Sequence, residues 1–418
     1  MSPTTATDPS PVTDTSQESA IVLIADKFDA TGIEELENLG HVVISDPGLD
    51  PSTLPAAIAE HDPHVLIVRS TRVKSDSIAA AGRLSLIVRA GAGTDNIDVA
   101  AASGRGIPVA NCPGKNSLAV AELAWGLILA CDRRIPDQVA DLRAGAWNKK
   151  EYGKASGLAG RTLGIVGLGR IGEAIADRGN AFGMRVFAWS RNISEARAEA
   201  AGCHACENLE NLARMSDVVC VSVAANADTE KLIGREFLDA MKPGATIVNT
   251  SRGSVIDENA LVEAIRAKGL RAGLDVYEDE PGSGTGEFQP EVVSLPGVYG
   301  THHVGASTDQ AQAAIAAEAV RIVREYLQRG RVPNCINLAS GTGAATVTVR
   351  HLNRPGVLAA ICEILGRGEL NIEDMENVIF TGGEAASVRI RVSKVPGSDL
   401  VTEIASRPNV LSIDVTAH

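Results

Sequence analysis

The sequence predicts an α/β protein built of two doubly wound parallel-sheet domains followed by a smaller βαββαβ unit. Three observations carry this. The 418 residues, 44% of them apolar, suffice for about three domains, each with its own core. From Ile21 to about residue 335, short β-branched runs alternate with helical stretches, the mark of parallel strands with crossover helices. After a Gly- and Pro-containing stretch, RGRVPNCINLASGTGA, the order changes to strand, helix, two strands, helix, strand.

Residues 1–20 are rich in Ser, Thr and Pro, lack a basic start or an apolar run, and read as a disordered tail rather than a targeting segment. The runs IVLIA, HVVIS, VLIV (65–68), LIVRAG and IPVAN give the strands of a first domain over 21–116. SLAVAELAWGLILACDRR, opened by Ser117, is one long apolar helix whose closing arginines suit its negative C-terminal end. A second domain follows to residue 303, with strands in TLGIV, MRVFAWS, DVVCVSV, ATIVNTS, RAGLDVY and VYGTH. The helix AQAAIAAEAVRIVREYL comes next. Residues 344–418 give TVTVRH, PGVLAAICEILGRG, NIEDMENVIF, a turn at Thr381-Gly382-Gly383, ASVRIRV, DLVTEIAS and VLSIDV, a ferredoxin-like arrangement.

The formal charge of -13 and pI near 5.2 exclude a surface built for nucleic acid or anionic membrane, and no stretch is long and apolar enough to span a bilayer, so a cytoplasmic protein is expected. Seven scattered cysteines form no disulfide framework and fit a reducing compartment. Cys203 and Cys206 make a CxxC around His204. With no second ligand pair at zinc spacing, no metal site is expected and the motif reads as a surface turn.

VGLGRIG is the sharpest local signal. Gly167, Gly169 and Gly172 follow a strand and open a helix, where they permit a tight turn, close approach of backbone to a pyrophosphate, and close helix–strand packing. Arg170 and Ile171 lie inside this loop. The next strand should end in a carboxylate for the ribose of NAD, but FAWSRN ends in Ser190 and Arg191. A hydroxyl and a guanidinium suit a 2′-phosphate, which favours NADP over NAD; alternatively Arg191 stacks over adenine or faces water while NAD binds through other contacts.

Ligands collect beyond the carboxyl ends of such strands, so Thr250, Ser251 and Arg252 of NTSRGSVID should face the cleft. Arg252 could grip a carboxylate and polarise a carbonyl. Asp275 ends the strand of RAGLDVYEDEP and Glu280 follows on its loop. Hydride transfer from a hydroxyl-bearing carbon needs a group that takes the hydroxyl proton, which a histidine of GTHHVGAST can supply if a carboxylate holds its tautomer. If residues 298–303 are extended, His302 and His303 point to opposite sides, so both are not expected to reach one proton.

VRSTRVKS, RAGAGTDNIDVAAASGRGIPVANCPGKNS, GLGRIG, NTSRGSVID, GLDVYEDEP and HHVGAST occur in order, and from about Ile21 onward the chain resembles the D-isomer-specific 2-hydroxyacid dehydrogenases, in particular their D-3-phosphoglycerate branch with a C-terminal ACT domain. The resemblance implies a flavodoxin-like substrate-binding lid over 21–116 and 304–335, a Rossmann NAD(P) domain over 117–303 and an ACT regulatory domain over 344–418. It makes His303 the acid/base, Glu280 its partner, Arg252 the carboxylate anchor and Asp275 a nicotinamide-amide contact, with Thr250, Ser251 and Gly305 also beside the cofactor. Arg69, Ser70 and the backbone at Gly91 and Gly93 would touch substrate, with Arg72 and Lys74 able to help neutralise a phosphate, and Lys149 would reach a neighbouring active site in a homodimer or homotetramer. In the ACT unit, His351, Asn353 and Asn371 match positions that bind an amino-acid effector, L-serine in serine-inhibited relatives. Ser222-Val223-Ala224 stands where the family usually has His-x-Pro, which with FAWSRN resembles NADP-linked glyoxylate or hydroxypyruvate reductases. A corepressor-like, dinucleotide-sensing binding protein is the reading from another class, which the complete Arg252, Glu280 and His303 set disfavours.

Overall fold

The computed structural model describes residues 19–281, 285–339 and 343–418. Most of the expected tail and part of the expected linker, Ser340 to Thr342, lie outside the described residues. The chain divides into two units, Met1–Asn337 and Leu338–His418.

The larger unit holds two parallel sheets. The first contains β1 (Ile21–Ile24), β2 (Val42–Ser45), β3 (Val65–Val68), β4 (Leu86–Arg89) and β5 (Val109–Asn111) in the order β2-β1-β3-β4-β5. β3 is buried at every residue, as expected of a strand covered on both faces. The second contains β6 (Thr162–Val166), β7 (Arg185–Trp189), β8 (His204–Ala205), β9 (Val218–Val221), β10 (Thr246–Asn249), β11 (Arg271–Leu274) and β12 (Val298–Gly300) in the order β12-β11-β10-β9-β6-β7-β8. The strand order reverses between β6 and β9, which opens a crevice at their carboxyl ends.

Helix Ser117–Arg133 buries Ala121, Ala124, Trp125 and Ile128 against the second sheet. Helix Asp309–Arg329, capped by Thr308 and closed by Gly330 at φ 65°, buries Ile315, Ala319, Val320 and Val323 with β1, β3 and β4. The chain therefore leaves the first sheet, builds the second, and returns.

Three expectations are corrected. β12 stops at Gly300 and His303 adopts φ 53°, so the extended run to residue 303 does not form. Cys203 and Cys206 are not on a surface turn: they flank β8 with both side chains buried, because the edge strand turns them toward the sheet's core. Burial pushes the Cys203 thiol up to about 11, which leaves it unreactive. Among the described residues no cluster could hold a metal ion. The expected linker is in part a strand partner: the Ile336 N–H donates to Val109 O at 2.8 Å and Asn337 Oδ1 accepts the Val109 N–H at 2.8 Å. Finally, helices Ile135–Arg143 and Lys149–Tyr152 follow the long helix; their exposed faces gave no strong apolar periodicity to read.

The C-terminal unit is an antiparallel sheet of β13 (Ala345–Leu352), β14 (Ile372–Ile379), β15 (Ala385–Val392) and β16 (Val410–Ala417), ordered β14-β15-β13-β16. Val347, Val349, Val388 and Ile390 pack with Ile361, Ile364 and Ile404 from helices Val357–Arg367 and Ser398–Ala405. This is the expected ferredoxin-like, ACT-like arrangement. No helix among the described residues is long and apolar enough to cross a membrane.

Candidate active site

Loops at the carboxyl ends of the two sheets build the cleft. In the loop after β12, the His303 Nδ1 lies 2.7 Å from Glu280 Oε2. Glu280 is held in turn by the Tyr277 N–H, which donates to its Oε1 at 2.9 Å. Burial opposes ionisation of Glu280, but its bonds to His303 and the Tyr277 N–H, with the charges of His303 and Arg252, hold the carboxyl below the usual carboxylate range. His302 is exposed, with no part in this pair.

Asp275 explains the left-handed backbone of His303. Its side chain is 1% exposed; Oδ1 accepts from Thr301 Oγ1 at 2.6 Å and the Val304 N–H at 2.9 Å, and Oδ2 accepts the Gly305 N–H at 2.9 Å. The His303 N–H donates to the Asp275 carbonyl at 2.8 Å. The carboxylate expected to meet a nicotinamide amide also holds the loop that carries the histidine. A Cβ at Gly305 would stand 3.0 Å from Asp275 Oδ2, so that glycine admits the carboxylate.

Arg252 follows β10. Its Nε and Nη2 donate to the two carboxylate oxygens of Asp95 at 3.3 and 3.0 Å, and Nη1 donates to Ser251 O at 2.7 Å. Burial works against the Asp95 charge, but the Arg252 bonds and charge, with Arg89 nearby, hold its carboxyl low. Thr250 and Ser251 are buried, and the Ser251 hydroxyl donates to Asn249 Oδ1 at 2.7 Å instead of facing the cleft. Asn249 also donates to Arg252 O at 2.9 Å and so fixes the turn.

From the first sheet, Arg69 Nη2 reaches Ser307 Oγ at 3.1 Å. Ser70 is turned away: its hydroxyl donates to Asp26 Oδ1 at 2.8 Å, and its N–H and that of Arg69 donate to Asp26 Oδ2. Gly91 and Gly93 make room for guanidinium groups, since a Cβ at either would run into Arg89 or Arg252 respectively. Burial, opposed by Asp95 but reinforced by the Arg252 and Arg69 charges, lowers the pKa of Arg89, and its buried Nε has no hydrogen-bond partner. Arg72 and Lys74 are exposed.

The glycine loop fits a dinucleotide. Gly167 adopts φ 99°, a Cβ at Gly172 would fall 2.3 Å from Gly167 O, and a Cβ at Gly169 would meet nothing within 4 Å. Helix Arg170–Ala181 begins there without a side-chain cap, so its free N–H groups open on space. Arg170 donates to Pro113 O at 2.6 Å, on the crossing between the sheets, and Ile171 packs against the second sheet's core. At the end of β7, Ser190 is half-buried and Arg191 pairs with Asp228 at 2.5 Å.

Two expected groups stand elsewhere. Lys149 lines a groove of about 400 Å³ with Leu142, Trp147 and Tyr152. The effector set is not brought together within one chain. His351 is buried, with Nδ1 2.9 Å from Leu352 O and Nε2 3.2 Å from Asn377 Oδ1. Asn353 follows the Leu352 end of β13, which pairs with Ala385, whereas Asn371 precedes the Ile372 end of β14, which pairs with Val392 at the far end of β15. Sequence reasoning missed Asp26, Asp95, Asn249, Arg89 and Asp228. Asp95, Arg89 and Asn249 lie inside the motifs, Asp26 and Asp228 outside them, and the partners of Asp26, Asp95 and Asp228 are distant in the chain.

A glycine-loop nucleotide site beside an imidazole–carboxylate pair and an arginine defines a dinucleotide-dependent oxidoreductase. Residues 125–305 match the model of the D-isomer specific 2-hydroxyacid dehydrogenase NAD binding domain. The chain is 39% identical over 319 residues to a D-3-phosphoglycerate dehydrogenase of Methanocaldococcus jannaschii, which covers 76% of this chain but 59% of that protein's length. It is 40% identical over 308 residues to a hydroxypyruvate reductase of Thermotoga maritima, 73% of this chain and 98% of that one. An NADPH-dependent glyoxylate/hydroxypyruvate reductase structure from Sinorhizobium meliloti superposes with a TM-score of 0.66 at 29% identity, covering 77% of this chain and 97% of that one. The chain belongs to the D-isomer specific 2-hydroxyacid dehydrogenases, enzymes that use NAD or NADP.

Proposed function

We propose that the chain is a D-3-phosphoglycerate dehydrogenase of the cytoplasm, oxidising 3-phospho-D-glycerate at C2 to 3-phosphohydroxypyruvate with NAD(P), the entry step of serine biosynthesis. One observation carries the substrate choice: Arg252, paired with Asp95 and packed against Gly93, Arg89, packed against Gly91, and Arg69, bonded to Ser307, bring three guanidinium groups to the cleft. A substrate carboxylate takes one guanidinium, and the surplus positive charge suits a phosphate. The names of the Methanocaldococcus relative and its mycobacterial counterparts support this reading.

His303 is the acid/base. Glu280 binds its Nδ1 and leaves Nε2 to take the C2 hydroxyl proton, or to return it in the reverse reaction. Arg252, held along one edge by Asp95, keeps further Nη protons for the substrate carboxylate and the carbonyl that develops at C2. A bound nicotinamide supplies the hydride acceptor. The loop from Gly167 to Gly172 would hold the pyrophosphate, with Gly305 and the backbone at Thr250 and Ser251 walling the nicotinamide side. Asp275 positions the His303 loop. Replacing His303 with Ala should lower kcat about a thousandfold, while His302→Ala retains most turnover; equal losses would contradict the assignment.

A second reading, an NADPH-linked reductase of an unphosphorylated 2-oxo acid such as glyoxylate or hydroxypyruvate, draws on Arg191 and on the Thermotoga relative, which this chain matches over nearly its full length. Regulation by L-serine at the C-terminal unit is part of the first reading. His351, Asn353 and Asn371 belong to opposite ends of the sheet, so a pocket using all three takes residues from two copies, and the exposed edge strand β14 suits such pairing in a homo-oligomer. L-serine should lower the rate, and a rate and oligomeric mass unchanged by it would remove this part.

A further inference from the structure

The cofactor end of the cleft carries a charge pair that the glycine loop alone does not explain. Arg191, just past β7, stands where the acidic ribose ligand of an NAD site is expected. Its Nη1 donates to Asp228 Oδ2 at 2.5 Å, and the two side chains are 64% and 66% exposed. Asp228 belongs to the loop after β9, where the chain departs from the family's His-x-Pro.

That loop is internally fixed. Thr229 Oγ1 donates to Ala224 O at 2.7 Å and accepts the Asn226 N–H at 2.9 Å, and Asn226 Oδ1 accepts the Asp228 N–H at 2.9 Å. The carboxylate is therefore held within reach of the guanidinium by its own backbone. A 2′-phosphate bound to Arg191 would share that guanidinium with a second anion a few ångströms away. A ribose 2′-hydroxyl would meet no such repulsion and could donate to the carboxylate.

We infer that Asp228 is a cofactor-specificity residue: it restrains Arg191 and counters its preference for a 2′-phosphate, so that the Arg191–Asp228 pair sets the balance between NADP and NAD. This rests on the dinucleotide site described above and goes beyond it by assigning selectivity to a residue outside the β7 motif. Arg191 without Asp228 would be an NADP-selecting site; with Asp228 it admits both cofactors.

The test uses the full chain and two fragments, adenosine 2′,5′-bisphosphate and 5′-AMP, titrated calorimetrically into the wild type, Asp228→Asn, Arg191→Ala and the double variant. Asp228→Asn should tighten the bisphosphate by about tenfold, as removal of one like charge at close range in a partly solvated site would, and leave 5′-AMP nearly unchanged. In the Arg191→Ala background the same change should give a smaller gain. The ratio of kcat/KM for NADPH to that for NADH should move in parallel. Binding of both fragments with no shift in Asp228→Asn, or an equal gain with and without Arg191, overturns the inference alone. Failure of the wild type to bind either fragment overturns the nucleotide site and the inference together.

Discussion

At the residue scale, the candidate catalytic groups are held by neighbouring side chains and backbone. Asp95 grips Arg252 along one edge while Ser251 O takes Nη1, which leaves one orientation of the guanidinium for a ligand. Asp95→Asn should raise KM for the 2-oxo acid about tenfold with a smaller change in kcat, and Asp95→Glu should recover part of the loss. An unchanged KM would mean that Arg252 is placed by Asn249 and Ser251 alone. Glu280 has a depressed pKa, so whatever its charge contributes to stability is fully present above the ordinary carboxylate value and lost as pH falls from there through the lowered one. The gap in stability between wild type and Glu280→Gln should accordingly be constant from neutral pH to about pH 5 and close only at lower pH; a gap that closes above pH 5 would contradict the assignment. The catalytic candidates were legible because residue type and strand-end position combine within short motifs. Asp95 and Asp228 were not, because a salt bridge between loops over a hundred residues apart, or across two strand ends, leaves no local pattern.

At the element scale, helix Asp309–Arg329 ties the second crossing to the first sheet. Its Glu318, 8% exposed, accepts from Arg321 Nη2 at 2.6 Å and Asn334 Nδ2 at 2.8 Å and lies 3.4 Å from Lys115 Nζ on the first crossing. The bond to Arg321 outweighs burial and, with Asn334 and Lys115, depresses the Glu318 carboxyl. Glu318→Gln should destabilise the larger unit by about 1–3 kcal/mol, read by urea denaturation. With its folded-state pKa lowered, the advantage of Glu318 is fully present above the ordinary carboxylate value and lost as pH falls through the lowered one; a difference that grows on acidification would contradict this. The helix and nearly all strands follow from apolar periodicity in the sequence. The end of β12 does not, because Asp275 ends the extended run by drawing in Thr301, Val304 and Gly305. The short helices after Arg133 were missed because neither buries a residue, so no apolar stripe announces them.

At the scale of the whole molecule, the two units have separate cores, and His303, Glu280 and Arg252 all lie in the larger one. A chain ending at Asn337 should keep dehydrogenase activity and lose any response to L-serine. Loss of all activity in a folded truncation would show that the C-terminal unit is needed for turnover itself. The ferredoxin-like order was legible from alternating strands and helices, but the separation of Asn371 from His351 and Asn353 was not, because it depends on how β14 pairs in the sheet. The proposed substrate is a phosphorylated three-carbon acid, and kcat/KM for 3-phosphohydroxypyruvate against hydroxypyruvate, with NADH and NADPH both supplied, tests it. A ratio well above one is predicted, with the arginines around Asp95 binding the phosphate; a ratio below one would contradict it and make the chain a reductase of unphosphorylated 2-oxo acids.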